Sequence, residues 1–181
     1  MVNFGELILR KFQNIAGSRY EEIIKAYQEF FLTEEEMKIP VISSILLAID
    51  RFSPEPPEEL YEVLVSYPSA MVRVVYVIDM ALCTLIRETL SEEEARKFRE
   101  REEALGREAL GKVSRKLHEL GMDFTIELIF EEKALFVEES AKEHDLLAIS
   151  RHFGSESLKT HNISPLVFRI VQRVEKPVIV Y

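Results

Sequence analysis

The chain has 181 residues, 47% of them hydrophobic, and a formal net charge of −9. That is enough apolar chain for one domain with a real core, and it excludes a disordered polymer. The acidic balance argues against a broad nucleic-acid surface, no apolar run reaches the roughly 18 residues of a membrane span, and the lone Cys83 allows no internal disulfide, so a cytoplasmic, reducing setting is expected.

In chain order, residues 3–16 place Phe4, Leu7, Ile8, Phe12 and Ile15 at helical spacing, and Gly17 ends the segment. Glu6 and Arg10 inside it do not fit a signal peptide. Ser18 to Glu21 form a capping box that opens a second amphipathic helix with Tyr20, Ile23, Ile24, Tyr27, Phe30 and Phe31 on its apolar face. Pro40 then punctuates the chain. We expect a helical extension over residues 1–39 and an α/β domain over 40–181. The extension must bury its apolar faces on its own domain or on a partner chain.

Ile42–Asp50 is a nearly continuous apolar run, suited to a buried parallel strand. A short helix is expected over Glu58–Ser66, with Pro57 in its first turn, and a second strand over Val72–Asp79. Met80–Leu90 is an unusually apolar connection. Core packing is the first reading of its Ala81–Ile86 segment, and a lid or partner surface the second. Ser91 to Glu94 form another capping box, opening a long helix to about Leu120. Its first half reads as a solvated charged face, with Glu93/Lys97 and Glu103/Arg107 at pairing distance. Its second half carries the stripe Leu110, Val113, Leu117 and Leu120. Strands follow at Phe124–Phe130, Leu146–Ile149 and Val178–Val180, with helices at Lys133–Glu143 and from Ser164-Pro165 onward.

Strands alternating with helices imply parallel βαβ units and a doubly wound, five-stranded α/β sheet. Ligands of such sheets sit outside the carboxyl ends of the strands, where the winding reverses. Asp50, Asp79 and the loop from Ser150 to Ser164 should converge there. A polar loop feeding a helix N-terminus can hold a phosphate through free N–H groups and the helix dipole.

Four stretches in order, ILLAID, VYVID, EEKALFVEESAKEHDLLAIS and VEKPVIVY, make residues 42–181 resemble the universal stress protein family. The resemblance implies an adenine-nucleotide-alpha-hydrolase-like parallel sheet, and a homodimer formed through the last strand. It also implies the residues that hold ATP in nucleotide-binding members. Asp50 matches the acidic residue after the first strand, a candidate ribose ligand. Val77 matches a backbone contact from the second strand. The family's glycine motif falls on Arg151, Gly154 and Ser164, with its final hydroxyl residue at Pro165. In a second alignment its first two glycines fall on Ser150 and Phe153. At best one glycine of three survives, and Pro165 supplies neither hydroxyl nor N–H. Arg151, Lys159, Ser155, Ser157 and Thr160 offer compensating charge and hydroxyls.

Simpler readings stand beside these. Asp50 and Asp79 can each cap a strand-end turn. His152 and His161 read as solvated loop histidines rather than metal ligands, and Cys83 as a packing residue. No P-loop, G-x-S-x-G, H-E-x-x-H or G-x-G-x-x-G signature is present. The first expectation is a non-enzymatic, dimeric stress-response module acting through an unidentified protein partner, with no catalytic residues and no metal. The alternative is a sensor of ATP or another phosphate ligand held by Asp50, Val77, Arg151, Gly154, Ser155 and Ser164, and a third reading is slow nucleotide hydrolysis at the same site.

Overall fold

A computed structural model describes residues 41–155 and 162–181. The helical extension expected over residues 1–39 lies outside the described residues, as do Ser157, Lys159, Thr160 and His161. Elements are numbered here among the described residues.

The chain runs β1 (Ser44–Ile49), α1 (Glu58–Val65), β2 (Met71–Asp79), α2 (Met80–Thr89), α3 (Glu92–Glu119), β3 (Phe124–Glu131), α4 (Lys133–Lys142), β4 (Leu146–Ile149), α5 (Pro165–Arg173) and β5 (Val178–Val180). The five strands form one sheet in the order β3-β2-β1-β4-β5. Every pairing is parallel. The doubly wound α/β fold expected from the sequence is therefore present.

Period-two alternation sorts the strand residues between two cores. Ile45, Leu47, Ile49, Val74, Tyr76 and Ile78 pack on one face with Leu60 and Leu64 of α1 and Leu110, Val113 and Leu117 of α3. Leu46, Ala48, Val75, Val77, Leu147 and Ile149 pack on the other with Val137 of α4 and Val167 and Ile170 of α5. Both faces of β1 and β4 are covered, which is why these strands read as unbroken apolar runs. Each fully buried aliphatic side chain contributes about 1.5–3 kcal/mol. Because α1 and α3 lie on one face and α4 and α5 on the other, the winding reverses between β1 and β4.

Gly106 of α3 permits this helix to approach the sheet. A Cβ there would stand 2.7 Å from Tyr76 Cδ1 and 2.9 Å from Leu128 Cδ1, closer than packed atoms tolerate.

Two expectations from the sequence change. The Ala81–Ile86 segment belongs to a helix with no buried residue, so it is not core. Asp79 caps that helix by accepting from the Leu82 N–H at 3.1 Å. The charged half of α3 is not wholly solvated either, because Ala95 and Glu102 are buried. The pairs Lys97–Glu93 (2.9 Å) and Arg107–Glu103 (3.3 Å) do form on its outer face.

The amino ends of β1 and β4 are tied by Asp145. Its Oδ2 accepts from the N–H and hydroxyl of Ser43 at 2.9 and 2.7 Å, and from those of Ser44, both at 3.0 Å. The Ser43 bonds, then those of Ser44, hold the Asp145 carboxyl down at about 2. A depressed carboxyl stabilises the fold fully above its unfolded value near 4, and that contribution drains away as pH falls toward 2. Asp145→Asn should therefore lower stability at pH 7, with the gap to wild type closing between about pH 4 and pH 2. Urea unfolding across pH measures this. A gap unchanged down to pH 2 would show that the charge of Asp145 does not matter.

Candidate functional site

The carboxyl ends of β1 and β4 meet at the winding reversal, and Asp50 and Ser150 follow them directly. Asp50 is fully buried. Its Oδ1 accepts from the Phe52 N–H at 3.0 Å and the Ser53 hydroxyl at 3.1 Å, closing the turn into α1. Its Oδ2 accepts from the Lys133 ammonium and from the Gly154 N–H, each at 2.7 Å. Both oxygens are thus engaged by the protein itself.

Lys133 is the first residue of α4 and only 4% exposed. Its ammonium faces two rings, 5.4 Å from the Phe52 centroid and 5.5 Å from that of Phe153. The Arg51 guanidinium covers the Phe52 and Phe98 rings at 5.5 and 5.8 Å. A chain of cation–ring contacts thus runs through the crevice: Phe98, Arg51, Phe52, Lys133, Phe153. Each cation has a buried anion, Lys133 with Asp50 at 2.7 Å and Arg51 with Glu102 at 3.1 Å. Cation–π contacts are worth about 0.5–2 kcal/mol each, more when desolvated.

Glu102 is buried on α3, and the contact with Arg51 is an ion-pair distance without hydrogen-bond alignment at Oε1. Burial pushes its carboxyl up, against the lowering pull of Arg51 and Lys133. Tyr76 lies nearby with its hydroxyl buried and unpartnered among the described residues. Burial, then Glu102 and Asp50, push that phenol far above its usual value.

The described residues that flank β4 and α5 are bonded within the protein in the same way. The Arg151 N–H donates to Tyr181 O at 2.7 Å, and the Ser164 N–H to Arg151 O at 2.8 Å. The Ser164 hydroxyl donates to Phe153 O at 2.5 Å and accepts from the Val167 N–H at 3.1 Å, capping α5. Gly154 has φ +85°, and a Cβ there would collide with Leu166, so this position requires glycine.

Of the residues singled out from the sequence, Asp50 and Gly154 come into direct contact. Ser164 joins them through Phe153. Val77 sits in β2 one step past the Ile49–Tyr76 pair, level with Asp50, and its side chain is buried. Arg151 is exposed, and its Nε donates to His152 Nε2 at 3.1 Å. Ser155 donates its N–H to His152 O at 3.1 Å. Beside them lies an open hollow of about 330 Å³ lined by Phe52, Ser53, Glu55, Ser150, Arg151 and His152. Another, of about 620 Å³, lies over Cys83, Arg87, Arg96, Arg99 and Phe130. Its arginines already face glutamates: Arg87–Glu92 at 4.0 Å, Arg96–Glu100 at 2.8 Å and Arg99–Glu103 at 2.9 Å.

Lys133, Arg51, Glu102, Phe52 and Phe98 were not foreseen, and Phe153 was named only as a position of the glycine motif. Two signals were available. Lys133 stands in the first turn of a helix, where the dipole disfavours a cation, so it needs a compensating anion. Glu102 falls on the stripe Ala95, Glu102, Gly106, Ala109 and Val113, which is helical spacing along the buried side of α3.

No protein-family model and no curated protein matches the chain. Solved structures do match its fold. The hypothetical protein MJ0577 is 15% identical, with a TM-score of 0.64 over 78% of this chain and 96% of its own. The universal stress protein UspA from Lactobacillus plantarum is 15% identical, with a TM-score of 0.60 over 78% and 99%. A universal stress protein family protein from Arabidopsis thaliana, solved with AMP bound, is 19% identical, with a TM-score of 0.50 over 76% and 90%. At these identities the likeness is one of fold. The universal-stress-protein resemblance read from the sequence is thus a shared architecture over most of the chain.

Removing one member of a buried ion pair strands the other and costs about 3–5 kcal/mol. Asp50→Ala also removes the acceptor that holds Gly154. We expect that loss in urea unfolding at pH 7. A loss below about 1 kcal/mol would mean that Lys133 finds water when Asp50 is gone.

Proposed function

We propose that this protein is a non-enzymatic regulatory module of universal-stress-protein type, which acts as a dimer through protein contacts and keeps its strand-end crevice free of nucleotide. One observation carries the reading: the groups that would serve a nucleotide are engaged internally. Both oxygens of Asp50 have protein donors. The Gly154 N–H goes to Asp50, and the Ser164 N–H and hydroxyl go to the loop. Pro165, the first residue of α5, has no N–H to give. At that helix terminus the Ser164 and Val167 N–H groups are already bonded, so a phosphate there would compete with existing bonds.

The dimer is proposed through β5. It is the terminal strand of the sheet, three residues long and only part buried, and a terminal strand offers unpaired backbone groups to another chain. The acidic balance supports a protein partner rather than nucleic acid. A cytoplasmic setting accords with a single free cysteine and with no described helix long and apolar enough to cross a membrane.

A second reading is a sensor of ATP or a related phosphate ligand, held by Asp50, Val77, Arg151, Gly154, Ser155 and Ser164. The similar fold that was solved with AMP bound favours it. Thermal unfolding with ATP and Mg²⁺, beside mass spectrometry of the purified protein, separates the two. A ligand at about 100 times its dissociation constant stabilises by about 2.7 kcal/mol. We expect no shift, no retained nucleotide, and a dimer mass by light scattering. A shift abolished by Asp50→Asn would establish the sensor, and a monomer would remove the β5 interface.

A further inference from the structure

We propose that the strand-end crevice is an ammonium-binding cage occupied in cis, with the Lys133 side chain as its resident ligand. The proposal deepens the reading above by naming what fills the site in place of a nucleotide.

The cage has one carboxylate wall and two aromatic walls. Asp50 Oδ2 receives the ammonium at 2.7 Å, and the Phe52 and Phe153 rings flank it at 5.4 and 5.5 Å. A cation set between ring faces beside an anion is the chemistry by which proteins recognise alkylammonium ligands. Here Asp50 is fully buried and Lys133 nearly so, and thus the occupant is desolvated as a bound ligand would be.

Lys133 does not owe its place to local structure. As the first residue of α4, it sits at the positive end of the helix dipole, and burial of an ammonium is unfavourable by itself. Only the cage compensates both penalties. The cage in turn holds the loop. The same Asp50 Oδ2 accepts the Gly154 N–H at 2.7 Å, and Phe153 is fully buried against the ammonium. The occupant thereby helps hold Phe153 and Gly154 against the end of β1.

Lys133→Ala removes three methylenes and the ammonium, which together are the n-propylammonium ion. The emptied cage should accept that ion from solution. We expect the unfolding midpoint of Lys133→Ala to fall by about 10 °C, since a stranded buried charge costs several kcal/mol. Millimolar n-propylammonium chloride should restore much of the loss. Sodium chloride at equal ionic strength and tetramethylammonium, which has no N–H to give Asp50, should not. The double variant Lys133→Ala with Asp50→Asn should gain nothing from the amine. A folded Lys133→Ala that ignores n-propylammonium, or responds equally to sodium chloride, overturns the cage.

A measurement on the unaltered protein covers the case in which Lys133→Ala does not fold. Limited acylation with mass-spectrometric mapping should label the exposed Lys97 and Lys142 readily and leave Lys133 at least about tenfold slower, as a desolvated, paired amine must be. Lys133 labelled as fast as those residues would overturn the proposal. An ATP-induced shift in wild type with Lys133 still protected would overturn the nucleotide-free reading and leave the cage standing.

Discussion

The carboxylate of Asp50 is the group on which the packing at the strand ends of this molecule depends. It stands at the carboxyl end of the central strand, fully buried, and it could not be there ionised without partners. Four donors come from three places: the turn into α1, the start of α4 and the loop after β4. One side chain thereby connects both faces of the sheet. A buried ion pair adds little net stability over an apolar replacement, yet the loss of either partner is costly. Asp50 and Lys133 are better understood as fixing where Phe153 and Gly154 sit than as a source of folding energy.

Topology makes that convergence possible. The order β3-β2-β1-β4-β5 reverses the winding between β1 and β4, so the helices that follow these strands leave on opposite faces. A crevice must open there. In this chain, aromatic and cationic side chains pack into it. Two cations alternate with three rings, and two buried carboxylates balance the charge.

The fold was largely legible from the residues. Unbroken apolar runs marked strands covered on both faces, as in β1 and β4. The Ser91 capping box marked the start of α3, and its side chain does accept from the Glu94 N–H at 3.2 Å. The site was legible only in part. Asp50 and Gly154 could be named from strand ends and from resemblance, and they do touch. Lys133 lies 83 positions from Asp50 and carries no local mark beyond its unfavourable place in a helix. Glu102 was hidden inside a charged run because charge suggests solvent, whereas the helical period placed it inward. The Ala81–Ile86 segment misled in the opposite direction. Its apolar residues form a surface helix, because α3 already fills the space between that face of the sheet and solvent.

By itself the sequence determined the chain order of the strands and of the described helices other than α2, their boundaries to within a residue or two, and the strand ends at which a crevice forms. Those features follow from period, capping and breaker residues, which act over a few neighbouring positions. Tertiary structure alone decided what occupies the site. The stack of Phe98, Arg51, Phe52, Lys133 and Phe153 draws on four separate segments, and its charge balance rests on pairs 51 and 83 positions apart. Electrostatic and cation–π contacts depend on distance in space, and that distance is set only once the sheet has wound in both directions.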